Sequence, residues 1–316
     1  RLGRCAHCVA QRCRARVCRD GKIVSESYGR LTSIALDPIE KKPLSDFMPG
    51  TTVLSIGSYG CNLRCPFCQN YTISQAGPDG FAGQRLPLDR VTPKEIVAAA
   101  QRLEETSGNI GVAFTYNDPV IFAEYAIDTA VACHAQGVAT VAVTAGYIHP
   151  EARRDFYAVM DAANVDLKAF TDDFYVHQCG GHLAPVLDTL SWLHHETDVW
   201  VEITTLLIPG LNDSDIPELL ERARAAGARR VSTAAGPCRA GRRRSPDRRP
   251  RCRRRGVRSR CARRQRQDSA RGNSRLRSRS SRVSRHMGRE RESADDSRRW
   301  HGVQGSLLRR FHGGRE

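Results

Sequence analysis

What this sequence lacks narrows it first. No apolar run reaches the length of a membrane span and no secretory leader is visible, which argues against a membrane protein and an oxidising compartment. The histidines show no metal-ligand spacing. His177, His182, His194 and His195 are irregularly placed, and the adjacent pair points to different helix faces. No arrangement of side chains identifies a general acid or base. Lysine is absent from the last 81 residues, which hold 28 arginines and 7 acidic residues. Residues 1–235 carry 22 basic and 27 acidic groups, so the formal charge of +16 comes wholly from the tail. Basicity of the whole chain is therefore no argument that its folded part binds nucleic acid.

Against that background the 12 cysteines stand out. In a reducing cytoplasm they read as metal ligands rather than disulfides. Three fall in Gly60-Cys61-Asn62-Leu63-Arg64-Cys65-Pro66-Phe67-Cys68-Gln69-Asn70, at the spacing C-x3-C-x2-C, just after the apolar run Thr52-Val53-Leu54-Ser55-Ile56-Gly57. Three thiolates on one loop make a soft-metal site with an incomplete ligand set. A [4Fe–4S] cubane takes four cysteines, one per iron, so a loop with three leaves one iron open. The competing reading is a zinc site completed by a distant histidine. Upstream, Cys5, Cys8, Cys13 and Cys18 are spaced to hold zinc or a second cluster, with free thiols as the plain alternative. Cys133 reads as a core thiol and Cys179, beside Gly180 and Gly181, as a loop cysteine. Trp192 and Trp200 read as packing residues, and Cys238, Cys252 and Cys261 as incidental.

Beyond the cysteine loop the apolar pattern alternates between helix and strand. Thr92-Pro93 opens a helix with a capping hydroxyl and proline in its first turn. A strand over 111–115 follows, then a helix over 119–136 stopped by Gly137 and a strand over 138–144. Next come a helix over 150–162, a strand over 165–168, a helix over 183–195, a strand over 199–208 and a helix over 216–226. This alternation predicts an α/β fold with a parallel sheet and about five βα units. In βα barrels ligands gather where the strands end, which is where the cysteine loop lies.

The cysteine spacing resembles that of the radical S-adenosylmethionine (SAM) superfamily. The resemblance implies a partial (β/α)6 barrel and a [4Fe–4S] cluster on Cys61, Cys65 and Cys68. Its open iron would chelate SAM, and reductive cleavage would yield a radical that abstracts hydrogen. A narrower likeness lies in Tyr28-Gly29-Arg30-Leu31-Thr32, Asp37-Pro38-Ile39-Glu40-Lys41-Lys42-Pro43-Leu44, Leu54-Ser55-Ile56-Gly57 and Cys68-Gln69-Asn70. These phrases resemble AmmeMemoRadiSam-system radical SAM proteins, relatives of the pyruvate formate-lyase activating enzymes, over residues 28–215. By that resemblance Phe67 packs near the adenine, and Asn117 and Asp118 face the SAM ammonium, with Asp118 where glutamate is usual. Thr144 helps shape the pocket, ahead of Ala145 where relatives have asparagine. Asp166 and Lys168 form the Asp-x-Lys of the activating enzymes. Each residue has a plainer reading beside it: Phe67 as a hydrophobic plug, Asp118 as a helix cap, Asp166 with Lys168 as an internal ion pair, and Asn212 and Asp213 as turn formers. The implied partners are a low-potential electron donor and a substrate that is either a protein, including a glycyl-radical type, or a small molecule.

Three regions follow: a Cys-rich leader (1–27), a partial barrel (28–235) and an Arg-rich tail (236–316). The tail has few large apolar residues and no period, which predicts disorder. Arginine without lysine, mixed with serine, glycine and proline, also suits a frameshift near residues 225–240. That reading expects the last strand and helix to be missing and leaves the barrel without its closing edge, and such a product inactive. A rival function is a zinc-stapled nucleic-acid binder acting through the arginines of a genuine tail.

Overall fold

The chain enters the sheet through short antiparallel pieces. In the computed structural model, which describes residues 13–19, 22–86, 89–213, 221 and 231–235, β1 (Arg16–Arg19) pairs with β2 (Lys22–Ser25). β3 (Arg30–Leu31) is followed at once by β4 (Ser33–Pro38), a 3-10 turn (Ile39–Lys41) and β5 (Thr52–Gly57). The cysteine loop leads into the one-turn α1 (Tyr71–Ser74), and β6 (Asp89–Arg90) pairs back with β3.

Regular alternation then begins. α2 (Pro93–Ser107) starts as its sequence predicts. Thr92 Oγ1 accepts from the Glu95 amide at 3.3 Å, the Glu95 carboxylate accepts from the Thr92 amide at 2.7 Å, and Gly108 ends the helix in the left-handed region. β7 (Asn109–Phe114), α3 (Ala123–His134), β8 (Ala139–Thr144), α4 (Pro150–Tyr157) and β9 (Ala162–Asp166) follow. A single turn, α5 (Asp172–Phe174), runs into a π-helical turn (Tyr175–Cys179) before α6 (Ala184–Glu196), β10 (Trp200–Leu207) and β11 (Val231–Ala235). The main sheet has the order β11-β10-β9-β8-β7-β5-β4, parallel throughout except for β4 at one edge.

Several expectations change. The helix expected over 119–136 begins as a 3-10 turn (Pro119–Phe122) capped by Asp118, and the α-helix proper starts at Ala123. The helix expected over 150–162 stops at Tyr157, because a turn closed by the Met160 amide on the Tyr157 carbonyl hands Ala162 to β9. Lys168 lies past the end of β9 rather than within it. Most consequential is β11. A missing last strand was expected, yet Val231–Ala235 pairs parallel with β10 and supplies the sixth parallel strand. The β-branched residues Val231 and Thr233 support that choice. The expected helix over 216–226, Cys5 and Cys8 of the leader, and the tail from 236 onward lie outside the described residues.

Side-chain alternation along the strands sorts the interior into two faces. Leu54, Ile56, Val112, Phe114, Ala142 and Val165 face the helices and join Ile96, Tyr125, Phe156 and Leu190 in the main core. Their neighbours Val53, Ala113, Val141 and Ala162 face the other way and pack on Ile39 and Leu44. Residues from the β4–β5 connection thus plug the floor of the barrel, the end where the strands begin. Glu202 on β10 fastens this plug. Its buried carboxylate accepts from the amides of Ser45 (2.8 Å), Asp46 (3.0 Å) and Phe47 (3.2 Å), and from Trp200 Nε1 (3.2 Å). Buried donors left without an acceptor cost about 1–3 kcal/mol each. Glu202→Ala is therefore expected to lower stability by about 3 kcal/mol in urea unfolding and to open the 39–50 loop to limited proteolysis. An unchanged urea midpoint would contradict the fastening role.

Candidate functional site

The C-terminal ends of β5, β7, β8, β9 and β10 enclose a cavity of about 430 Å³. Cys61, Cys65 and Cys68 line it, together with Phe67, Asn117, Asp118, Thr144, Asp166 and Lys168. All nine residues singled out from the sequence therefore meet at one place.

The cysteine loop is shaped by contacts with the strand ends. Gly60, just before Cys61, has φ +84°, and a Cβ there would collide with the Cys13 carbonyl, so only glycine suits the position. Asn62 Nδ2 donates to the Tyr147 carbonyl (2.7 Å), the Arg64 amide to the Cys179 carbonyl (2.7 Å) and Asn70 Nδ2 to the Tyr116 carbonyl (2.7 Å). Asn117 laces two loops together. Its Oδ1 accepts from the Ser58 amide (3.1 Å) and its Nδ2 donates to the Gly60 carbonyl (2.9 Å).

The thiols differ. Burial pushes the Cys61 thiol above its ordinary range. Cys65 is shifted down, first by a hydrogen bond from Cys179 and then, against its burial, by the Lys168 charge. Cys68 lies 3.3 Å from Ser74 Oγ. Among the described residues no three His, Cys, Asp or Glu side chains converge to share one metal ion. In the leader, Cys13 is buried and Cys18 exposed on β1, and a second metal there is without support.

Both oxygens of Asp118 are engaged, one by two donors and the other by one. Its Oδ1 accepts from Thr144 Oγ1 (2.8 Å) and the Val120 amide (3.3 Å), and its Oδ2 from the Ala145 amide (3.0 Å). Burial pushes its carboxyl up, against those three bonds. The helix-cap reading therefore holds, and it coexists with a place on the cavity wall. Asp166 and Lys168 form the expected ion pair at 2.6 Å. Burial pulls the Lys168 ammonium down, but Asp166 and Cys65 outweigh it and hold it well above the ordinary lysine range. Asp166 lines the cavity with Lys168 bound to its Oδ2, while its Oδ1 is buried without a hydrogen-bond partner. Phe67 rests on Phe174, ring centroids 5.9 Å apart, and also faces the cavity.

Sequence reasoning missed the cavity's other charged group. The phrase Asp37 to Pro43, read only as a likeness, brings Lys41, Lys42 and Pro43 to the floor of this cavity. The Asp37 and Lys41 spacing of four residues was the available signal. Tyr116 carried none: its φ of +71° turns the ring inward, and its hydroxyl donates to Asp37 at 2.8 Å.

Against its own burial, the charge of Lys42 and bonds from Lys41, Lys42 and Tyr116 hold the Asp37 carboxyl well below the usual carboxylate range. A group depressed on folding adds stability that is complete above its unfolded value of about 4 and lost as pH falls through the folded value. The stability difference between the wild type and Asp37→Asn should thus be largest near neutrality and shrink toward about pH 2 in urea melts. A difference independent of pH would contradict the assignment.

Comparison with known proteins agrees with the geometry. The Radical SAM superfamily profile matches residues 55–223. The uncharacterized protein MJ0808 of Methanocaldococcus jannaschii is 40% identical over 201 residues, 64% of this chain and 56% of that protein. The pyruvate formate-lyase 1-activating enzyme of Escherichia coli K12 is 25% identical over 158 residues, 49% of this chain and 61% of the enzyme. The chain thus spans somewhat over half the length of these relatives. The crystal structure of Streptococcus suis SuiB superposes with a TM-score of 0.46 at 13% identity, over 58% of this chain and 39% of that one.

Proposed function

The chain belongs to the radical SAM superfamily, and from that premise we propose that this cavity binds a [4Fe–4S] cluster beside SAM. Cys61, Cys65 and Cys68 would hold the cluster. When bound, cluster and SAM together supply one-electron cleavage of the sulfonium and a carbon radical that removes a hydrogen atom from the substrate. The chain's own work is placement and seclusion. The observation that carries the reading is the meeting of three thiols with the Asp166–Lys168 pair in one cavity. Asp166, held at Oδ2 by Lys168, offers its carboxylate to the cationic or hydroxyl groups of SAM. Asp118 fixes Thr144 and Ala145 and keeps acceptor capacity on Oδ2. Phe67 provides an apolar face for a nucleobase.

The likeness to activating enzymes supports a protein substrate and a low-potential electron donor. The narrower AmmeMemoRadiSam assignment rests on the likeness of the phrase Asp37 to Leu44, part of which lines this cavity. The 7 described cysteines are free thiols, and among the described residues no helix is long and apolar enough to cross a membrane. Both are consistent with work in the cytoplasm.

Anaerobic reconstitution with iron and sulfide tests the proposal. The expected outcome is brown protein that forms 5′-deoxyadenosine from SAM on reduction. Cys65→Ala should lose the cluster absorbance and the product together. Asp166→Asn should keep the absorbance while weakening SAM binding about tenfold, the loss of one charge-assisted hydrogen bond. Zinc in place of iron, or full SAM affinity in Asp166→Asn, would count against the reading.

A further inference from the structure

The floor of the cavity carries a buried ionic group with no part assigned to it in holding cluster or cofactor. Asp37 is wholly buried, and the Lys42 side chain is 3% exposed. Lys42 Nζ donates to Asp37 Oδ2 at 2.7 Å and lies 4.7 Å from the centre of the Tyr116 ring. Asp37 also accepts from Lys41 Nζ (2.8 Å) and from the Tyr116 hydroxyl (2.8 Å). One carboxylate is therefore divided among three donors. The acid acting on Lys42 is this shared Asp37, and burial wins over it, pulling the Lys42 ammonium below its ordinary range. Glu40, the neighbouring acid, is turned outward and accepts from the Gly50 amide at 2.7 Å.

An ion pair buried this deeply is poor value for stability alone. Apolar residues of similar volume usually do as well or better, and Ile39 and Leu44 already supply an apolar plug beside it. An ammonium has three N–H donors. Asp37 takes one and the Tyr116 ring covers another side, while Lys41 and Lys42 both border the open cavity. A partly neutralised, poorly hydrated cation on the wall of a cavity attracts an oxyanion strongly, because no water shell must be displaced from it.

We infer that the floor of the cavity, at Lys42 and Lys41, is a subsite for an anionic group of the substrate, a carboxylate or a phosphate. The inference rests on reading this cavity as the active site. Lys42, oriented by Asp37 and Tyr116, meets the anion from the floor, and Lys41 closes on it from the more exposed side. The substrate would thus be held by its charged end, with its reacting carbon directed toward the cysteine loop.

Acetylation of the reconstituted full chain with acetic anhydride, read residue by residue by mass spectrometry, tests this without any variant. Inorganic phosphate and succinate serve as separate probes. Sodium chloride at equal ionic strength and neutral succinamide are the controls, and exposed Lys94 is the internal reference. The expected result is a saturable, severalfold slowing at Lys41 by phosphate or by succinate, with Lys94 unaffected. Whichever probe saturates at lower concentration identifies the anion. Equal slowing at Lys41 and Lys94, or none at either, overturns the inference. Full protection by SAM alone, with no further effect of either anion, also overturns it, since the floor then serves the cofactor. The cluster absorbance of the same samples reports separately on the radical SAM reading. Protection of Lys41 in protein that never forms a cluster would sink that reading and leave the anion subsite standing.

Discussion

The cysteine loop has little regular structure of its own, and backbone carbonyls at the ends of neighbouring strands hold it in shape. Tyr116, Tyr147 and Cys179 follow β7, β8 and β9, and each lends its carbonyl to the loop, accepting from Asn70, Asn62 and the Arg64 amide in turn. Each such bond is worth about 1 kcal/mol net, but their larger effect is positional. Two fixed points beside the sheet and a third on the π-helical turn that ends at Cys179 leave the loop few ways to move. The thiols therefore inherit their placement from the register of the parallel strands, and slippage of one strand would disturb the site before it disturbed the core.

The same sheet explains why the interior is polar where it is. Strand alternation sends Val53, Ala113, Val141 and Ala162 inward near the floor, and Asn164, Asp166, Glu202 and Thr204 inward beside or above them. Buried polar groups must be satisfied, and most are. Glu202 takes the amides of the plug, and Asn164 Nδ2 donates to the Pro43 carbonyl (3.1 Å) and to Thr204 Oγ1 (2.8 Å). Among the described residues seven buried side-chain atoms lack a hydrogen-bond partner, and of the residues that carry them only Asp166 lines the cavity.

Much of this was legible before any coordinates. Cysteine spacing, the Thr92 capping hydroxyl with Pro93 behind it and the short apolar strands follow local rules that tertiary contacts did not override. Asp166 and Lys168 do pair, although Lys168 lies just beyond β9 and strand alternation does not place it. What escaped were features set by long-range contact. Nothing local says that Tyr116 turns inward at positive φ, or that the Asp37 to Pro43 phrase folds under the barrel to meet it. β11 escaped for a different reason: the arginines at 229 and 230 masked the short β-branched run behind them.

The account stands on an iron corner that the protein leaves open, although a fourth thiol is close at hand. Cys179 is buried and hydrogen-bonded to Cys65. The most direct measurement is electron–nuclear double resonance on the reduced, reconstituted protein with SAM labelled by ¹⁷O in its carboxylate. The account predicts coupling of the labelled oxygen to the cluster, with Cys179→Ala giving the same coupling. Absence of that coupling in the wild type, with its appearance only in Cys179→Ala, would show a closed corner and contradict it.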